Sequence, residues 1–230
     1  MPIKFIQDRI ETMQFIRPMF PHWGNIAKGK MAVSAKSGNQ YPTETPHYEF
    51  SYNAGFEDLA GWVNHVYGDK PMSIDLLVYP MTTSQNPIEK YFPSSMQAWS
   101  KSKKDDSRTL MRECDSENVT RVFNTQTKRH DWVRPDEPAP ACGFDQKTRK
   151  CKHDCKPTGR LFVILPALCE AVGTIGYFTM TLHSPDDIRD IMVMFKQAGE
   201  SIGNTIWRFD RVPKKYIFQD DEGNKKESLH

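Results

Sequence analysis

Apolar residues recur at three- and four-residue steps at Phe56, Leu59, Ala60, Val63, Val66 and Tyr67, and Gly68 follows as a stop, which predicts an amphipathic helix over 54–67. A second stripe of this period, Ile188, Ile191, Met192, Phe195 and Ala198, begins after Ser184-Pro185, with Asp187 three residues beyond the serine. Ser184 is the natural N-cap, Pro185 suits the first helical position, and Gly199 and Gly203 close the stretch. Short β-branched and aromatic runs mark strands instead. SIDLLVYP after Pro71, VTRVFNT, and in the last third GRLFVILPAL, GYFTMTL and TIWRFDRV all read this way. The last third therefore runs strand, strand, helix, strand.

Residues 1–52 hold several Pro and Gly and show no helical period, so they read as irregular or β-like. Pro87 and Pro93 divide NPIEKYFPSSMQAWSKSKK and predict two short helical pieces, capped by Asn86 and Ser94. Segments 101–118 and 134–158 are polar and charged, with prolines clustered at DWVRPDEPAPA. No internal repeat or sustained heptad is present, which excludes solenoids and coiled coils. The fold class this predicts is α+β, a mixed sheet covered by helices. It is read as a single domain over 1–215 with a cysteine-rich loop embedded at about 114–158, followed by a charged flexible tail at 216–230.

Composition sharpens this by exclusion. The 230 residues are 38% hydrophobic and 26% charged, enough to bury a core, and no run approaches the roughly 20 apolar residues a membrane helix requires. Asp8 and Glu11 stand where a secretory peptide needs its apolar centre, so a cytoplasmic protein is expected, with no membrane partner. Lys and Arg number 31 against 29 Asp and Glu; so even a balance excludes tight non-specific binding to nucleic acid and leaves only local contacts. The candidates for such contact are Lys147, Arg149, Lys150, Lys152, Lys156 and Arg160, interspersed with Asp145 and Asp154. Lys101, Lys103 and Lys104 form a second basic run.

Five cysteines in a reducing compartment point away from bridges and toward metal. Cys142, Cys151 and Cys155 fall within fourteen residues in CGFDQKTRKCKHDC, with His153 between the last two and Cys114 upstream in RECDSEN. Thiolates with an imidazole are the donors a closed tetrahedral structural Zn2+ site uses. Cys114, Cys142, Cys151 and Cys155 form one candidate set, and His153 in place of Cys114 forms the other. Such a metal would staple a loop that has no core of its own. The bland alternative is unrelated surface thiols. Cys169, flanked by apolar residues in PALCEAV, reads as a core thiol.

Other chemistry is absent or incomplete. GNIAKGKM from Gly24 to Met31 has the glycines and lysine of a phosphate loop but ends in Met where a hydroxyl must reach magnesium. The chain contains no HExxH, no GxSxG and no closely spaced carboxylate and histidine set, so no catalytic residue is nominated. The histidines outside the cysteine cluster are read as surface or core-edge residues.

Several segments taken in order resemble one family. GNIAKGK, IEKYFPSSMQAWSKSK, ECDSEN, Cys142, CKHDCKPTGRLFVILPAL, GYFTMTLHSPDDI and WRFDRVPKK are similar to the recombination directionality factors of phage large serine integrases, in the metal-binding-like branch often labelled a hydrolase or metal-binding protein. The resemblance runs from about Gly24 to Lys215 and is most specific at Cys151 to Leu161. The family's Cys-Asp-Gly element stands here as Cys114-Asp115-Ser116, and a single Cys142 stands where relatives often carry two, which leaves the fourth ligand open between Cys114 and His153. The resemblance implies an accessory protein without catalysis of its own. Its partner would be a large serine integrase bound to attachment-site DNA, whose coiled-coil arms would pair differently so that excision replaces integration. A DNA-binding protein of phage replication using the basic loop is the alternative from another class. A metal-dependent hydrolase is the third, and it demands an open metal position and a general base that the sequence does not offer.

Overall fold

A computed structural model describes residues 18–33, 40–101, 108–114, 119–132, 144–145, 150–151, 155–212, 215–219 and 225–229. In chain order the elements are β1 (His22–Val33), β2 (Gln40–Tyr52), α1 (Leu59–Tyr67), β3 (Ser73–Tyr79) and α2 (Pro87–Tyr91). Four strands follow, β4 (Ser94–Lys101), β5 (Arg108–Cys114), β6 (Val119–Asn124) and β7 (Arg129–Trp132), then the two-residue strands β8 (Phe144–Asp145) and β9 (Lys150–Cys151). Next come β10 (Lys156–Ile164), α3 (Pro166–Val172), β11 (Tyr177–Leu182) and α4 (Pro185–Ala198), continued by a 3-10 helix (Gly199–Asn204). β12 (Trp207–Asp210), β13 (Lys215–Gln219) and β14 (Lys225–Leu229) complete the described chain. The class is mixed α+β, with four α-helices among the described residues.

The residues group into two compact units, and β10 and β11 each contribute to both. The first unit draws on Pro18–Tyr79, Phe162–Met180 and the chain from Gly203 onward. Its strands lie in the order β2-β1-β11-β10-β3-β12. The sheet is mixed, because β1 runs antiparallel to β2 but parallel to β11, with Asn25 opposite Thr179. β3 is antiparallel both to the 162–164 end of β10 and to β12. Alternation along β3 buries Ile74, Leu76 and Val78, which is the period-two signal its sequence carries. α1 packs on α3 and on β2, and α3 lies against β3.

The apparent phosphate loop is part of this sheet. Gly24 and Gly29 lie within β1, and a Cβ on either would overlap the carbonyl oxygens of Ser51 and Thr43 on β2. Their glycines are thus explained by close backbone approach, not by phosphate.

The second unit draws on Pro80–Leu161 and Thr181–Ile202. Its sheet has the order β10-β4-β5-β6-β7, with every neighbouring pair antiparallel. β8 and β9 pair separately as a short ribbon. α4 has the predicted cap: the Ser184 hydroxyl accepts from the Asp187 N–H at 3.4 Å, and Asp186 and Asp187 complement the positive end of the helix dipole. Ile188, Ile191 and Phe195 are buried, and Phe195 meets Phe92 edge-on at 6.2 Å between ring centres. Phe92 follows α2, whose Asn86 cap accepts from the Ile88 N–H at 3.0 Å.

Four sequence expectations differ from the structure. The helix predicted over 54–67 begins only at Leu59, after turn residues from Ala54 to Asp58. Ser94 does not cap a second helical piece. It begins β4, because Ser95 pairs with Thr158 and the Arg160 N–H reaches the Pro93 carbonyl, so a ladder with β10 outweighs the local cap. Residues 108–114, read as polar and irregular, form β5. GRLFVILPAL is a strand only to Ile164, since Pro166 opens α3; the last third runs strand, helix, strand, helix, strand before the terminal ribbon. That ribbon, β13 with β14, lies in the charged terminal stretch.

Candidate functional site

The second unit's sheet carries the polar and thiol residues that other chemistry would need. β4 alternates Ser95, Gln97 and Trp99, and a register shift between Ala98 and Trp99 marks an irregularity in its pairing with β5. Such bulges re-aim side chains. The Trp99 Nε1–H donates to Gln97 Oε1 at 3.2 Å, and Gln97 Nε2 donates to Glu113 Oε1 at 2.9 Å and to Ser95 Oγ at 3.1 Å. The Ser95 hydroxyl donates to the same carboxylate oxygen at 2.7 Å. Gln97 is buried, whereas Trp99 keeps 49% of its surface exposed. The network therefore fixes a half-exposed indole by its ring nitrogen.

In register, Gln97 lies between Lys156 on β10 and Glu113 on β5, and Glu113 pairs in turn with Arg121 on β6. One row across four strands is thus Lys156, Gln97, Glu113 and Arg121, with basic residues at the two outer positions and acidic Glu113 between them. The row on the opposite face contains Pro157, Met96 and Cys114.

The metal candidates divide by position. Cys114, the last residue of β5, is fully buried, and Cys155, immediately before β10, is 7% exposed. β5, which ends in Cys114, and β10, which Cys155 precedes, flank β4. Cys151 lies in β9, where it pairs with Phe144. Cys142 and His153 lie outside the described residues. Among the described residues no group of three His, Cys, Asp or Glu side chains could hold a metal ion. Two buried thiols, Cys114 at the end of β5 and Cys155 just before β10, fit the donor chemistry of a structural zinc.

Of the basic candidates, Lys156 and Arg160 are exposed on β10, Lys150 is in β9, and Lys147, Arg149 and Lys152 lie outside the described residues. Three of the histidines have local partners. His22 Nε2 is 3.0 Å from the Thr179 hydroxyl, His47 Nε2 is 3.1 Å from Glu49, and His183 Nδ1 is 3.4 Å from the Thr158 hydroxyl. Cys169 is half-buried with its Sγ 3.9 Å from the Gly176 carbonyl, and burial pushes its thiol pKa up, which suits a packing role. The tethered Trp99 was not singled out from sequence. The available signal was the two-residue spacing of Ser95, Gln97 and Trp99, which a helical reading of the segment hides.

Residues 23–224 match the Gp3-like family, described as recombination directionality factor-like. That match covers most of the chain, and the protein belongs to this family. A search of the curated proteins and a search of the solved structures each found no match. Among the described residues no helix is long and apolar enough to cross a membrane.

Proposed function

We propose that this protein is a recombination directionality factor that binds a large serine integrase on attachment-site DNA and turns site-specific recombination from integration to excision. The observation that carries the reading is family membership over residues 23–224. The role requires binding, not catalysis, and the serine nucleophile belongs to the integrase. Physically, the factor must favour one arrangement of the integrase complex over another. Moving a two-state equilibrium from 1:99 to 99:1 takes about 5.5 kcal/mol of differential binding. A rigid anchor helps supply it, because less conformational freedom is lost on docking.

Trp99 is the side chain we assign as that anchor. It is large, half-exposed and held by Gln97, and buried tryptophans are prominent among the residues that dominate interfaces. We further propose a structural Zn2+ held by Cys142, Cys151 and Cys155 with Cys114 or His153. Bound there, the metal would tie the segment around β8 and β9 to the strands that flank β4. Four such donors leave no open coordination position, consistent with a structural rather than a hydrolytic role.

The test is the mobility of integrase complexes on left- and right-site DNA. The protein is expected to shift the complexes formed by integrase and to leave bare DNA unshifted at physiological salt. A shift of bare DNA that falls steeply with salt, without any effect on integrase, would instead favour the replication-type DNA binder.

A further inference from the structure

β12 is an edge strand: among the described residues its only strand partner is β3. Phe209 lies opposite Ile74, and the Arg211 N–H donates to the Met72 carbonyl at 2.7 Å. In an antiparallel ladder this turns the backbone groups of Trp207, Phe209 and Arg211 toward β3. Those of Arg208 and Asp210, and of the flanking Ile206 and Val212, turn outward.

The same four residues have exposed side chains, with Ile206 at 61% and Val212 at 72%. Protected edges usually carry Lys, Pro or a bulge. Between Ile206 and Val212 there is neither Lys nor Pro, and the two charged residues that turn outward, Arg208 and Asp210, are of opposite sign.

We propose that this edge joins two copies of the protein, their β12 strands adding antiparallel about a dyad at Phe209. That register sets Arg208 opposite Asp210 of the second copy and Ile206 opposite its Val212. It also brings outward N–H and C=O groups face to face, giving about four backbone hydrogen bonds from Arg208 and Asp210 together. The neighbouring registers with correct backbone polarity are centred on Arg208 or Asp210, and they set like charges face to face. Charge and backbone polarity therefore select one arrangement. Arg208 can enter it without leaving its own fold. Its Nε and Nη2 hold Asp75 at 2.8 and 2.9 Å, and a guanidinium has further N–H groups for a second carboxylate.

The full chain would be followed by sedimentation velocity from low to several hundred micromolar, with two variants. Asp210→Pro deletes an outward N–H that β3 does not use, and Asp210→Lys reverses the charge while keeping the N–H. A reversible dimer that salt weakens is expected for the natural chain, with the dissociation constant raised at least about tenfold in each variant. Circular dichroism and melting of the variants at low concentration establish that they are folded. If Asp210→Pro fails to fold, Asp210→Lys decides. A natural chain that stays monomeric throughout, or folded variants that dimerise as it does, would overturn the proposal.

Discussion

The part of the ten-stranded sheet built on β1, β11 and β3 and the part built on β4 to β7 are stabilised by different means. In the first, Trp23, Ile26, Leu76 and Phe178 are each at most 1% exposed, and Phe178 meets Trp23, Phe50 and Tyr52 edge-on at 5.5 to 6.3 Å. In the second, Leu110 and Cys114 are the buried apolar residues described on β4 to β7, beside buried Gln97. The first sheet has an ordinary hydrophobic core. The second has a polar network, a buried thiol and a half-exposed tryptophan. A metal staple and a partner are the two further sources of order we propose for it.

Metal removal should separate the two sheets most. With zinc bound, chelation is expected to strip hydrogen-exchange protection from β5 and from the start of β10 while leaving β1 and β11 protected, a local loss of several kcal/mol. Cys155→Ser should reproduce it, and comparing Cys114→Ser with His153→Ala identifies the fourth ligand. Absence of bound zinc in the purified protein, with exchange indifferent to chelator, would remove the metal from the account.

Core truncation comes next. Phe178→Ala should cost about 3–5 kcal/mol in urea unfolding, whereas Val122→Ala on β6, at 39% exposure, should stay within about 0.5 kcal/mol. Equal costs would mean that the second sheet hides a core of the first kind. Trp99→Ala should leave the melting temperature unchanged yet weaken integrase binding by about 2 kcal/mol, read by titration calorimetry. Glu113→Gln, which keeps the shape but removes the charge that Ser95 and Gln97 bond, should weaken it less.

The smallest effect belongs to Tyr67 at the end of α1. Burial, with Asp75 and Cys169 adding to it, pushes the Tyr67 phenol up to about 12 from its ordinary 10.0. The fold thus favours the neutral phenol, so this contribution is complete below pH 10 and is lost as pH rises from 10 toward about 12. Melting curves across that window should fall less steeply for Tyr67→Phe than for the natural chain.

The same contrast explains what could be read from the sequence. α4 was legible from Ser184 to Phe195 because its cap, proline, acidic first turn and apolar stripe agree, and β3 was legible because alternate residues are buried. β5 was not, since RTLMREC places only Leu110 and Cys114 inside and so shows no alternation. β4 was misread because Ser94 after Pro93 satisfies a local capping rule, while the β10 ladder that overrides it lies more than sixty residues away in sequence. The Trp99 tether depends on pairing β4 with β5, and neither strand was recognised. Cysteine spacing raised the expectation of a metal loop without choosing between Cys114 and His153.

The central claim is the switch in direction, and recombination itself tests it most directly. The serine integrase encoded beside this gene would be incubated with paired left and right attachment sites, and separately with the integration pair, with and without the purified protein. Excision that requires the protein, together with inhibited integration, is the predicted result. Excision and integration by the integrase that are the same with and without the folded protein would contradict it.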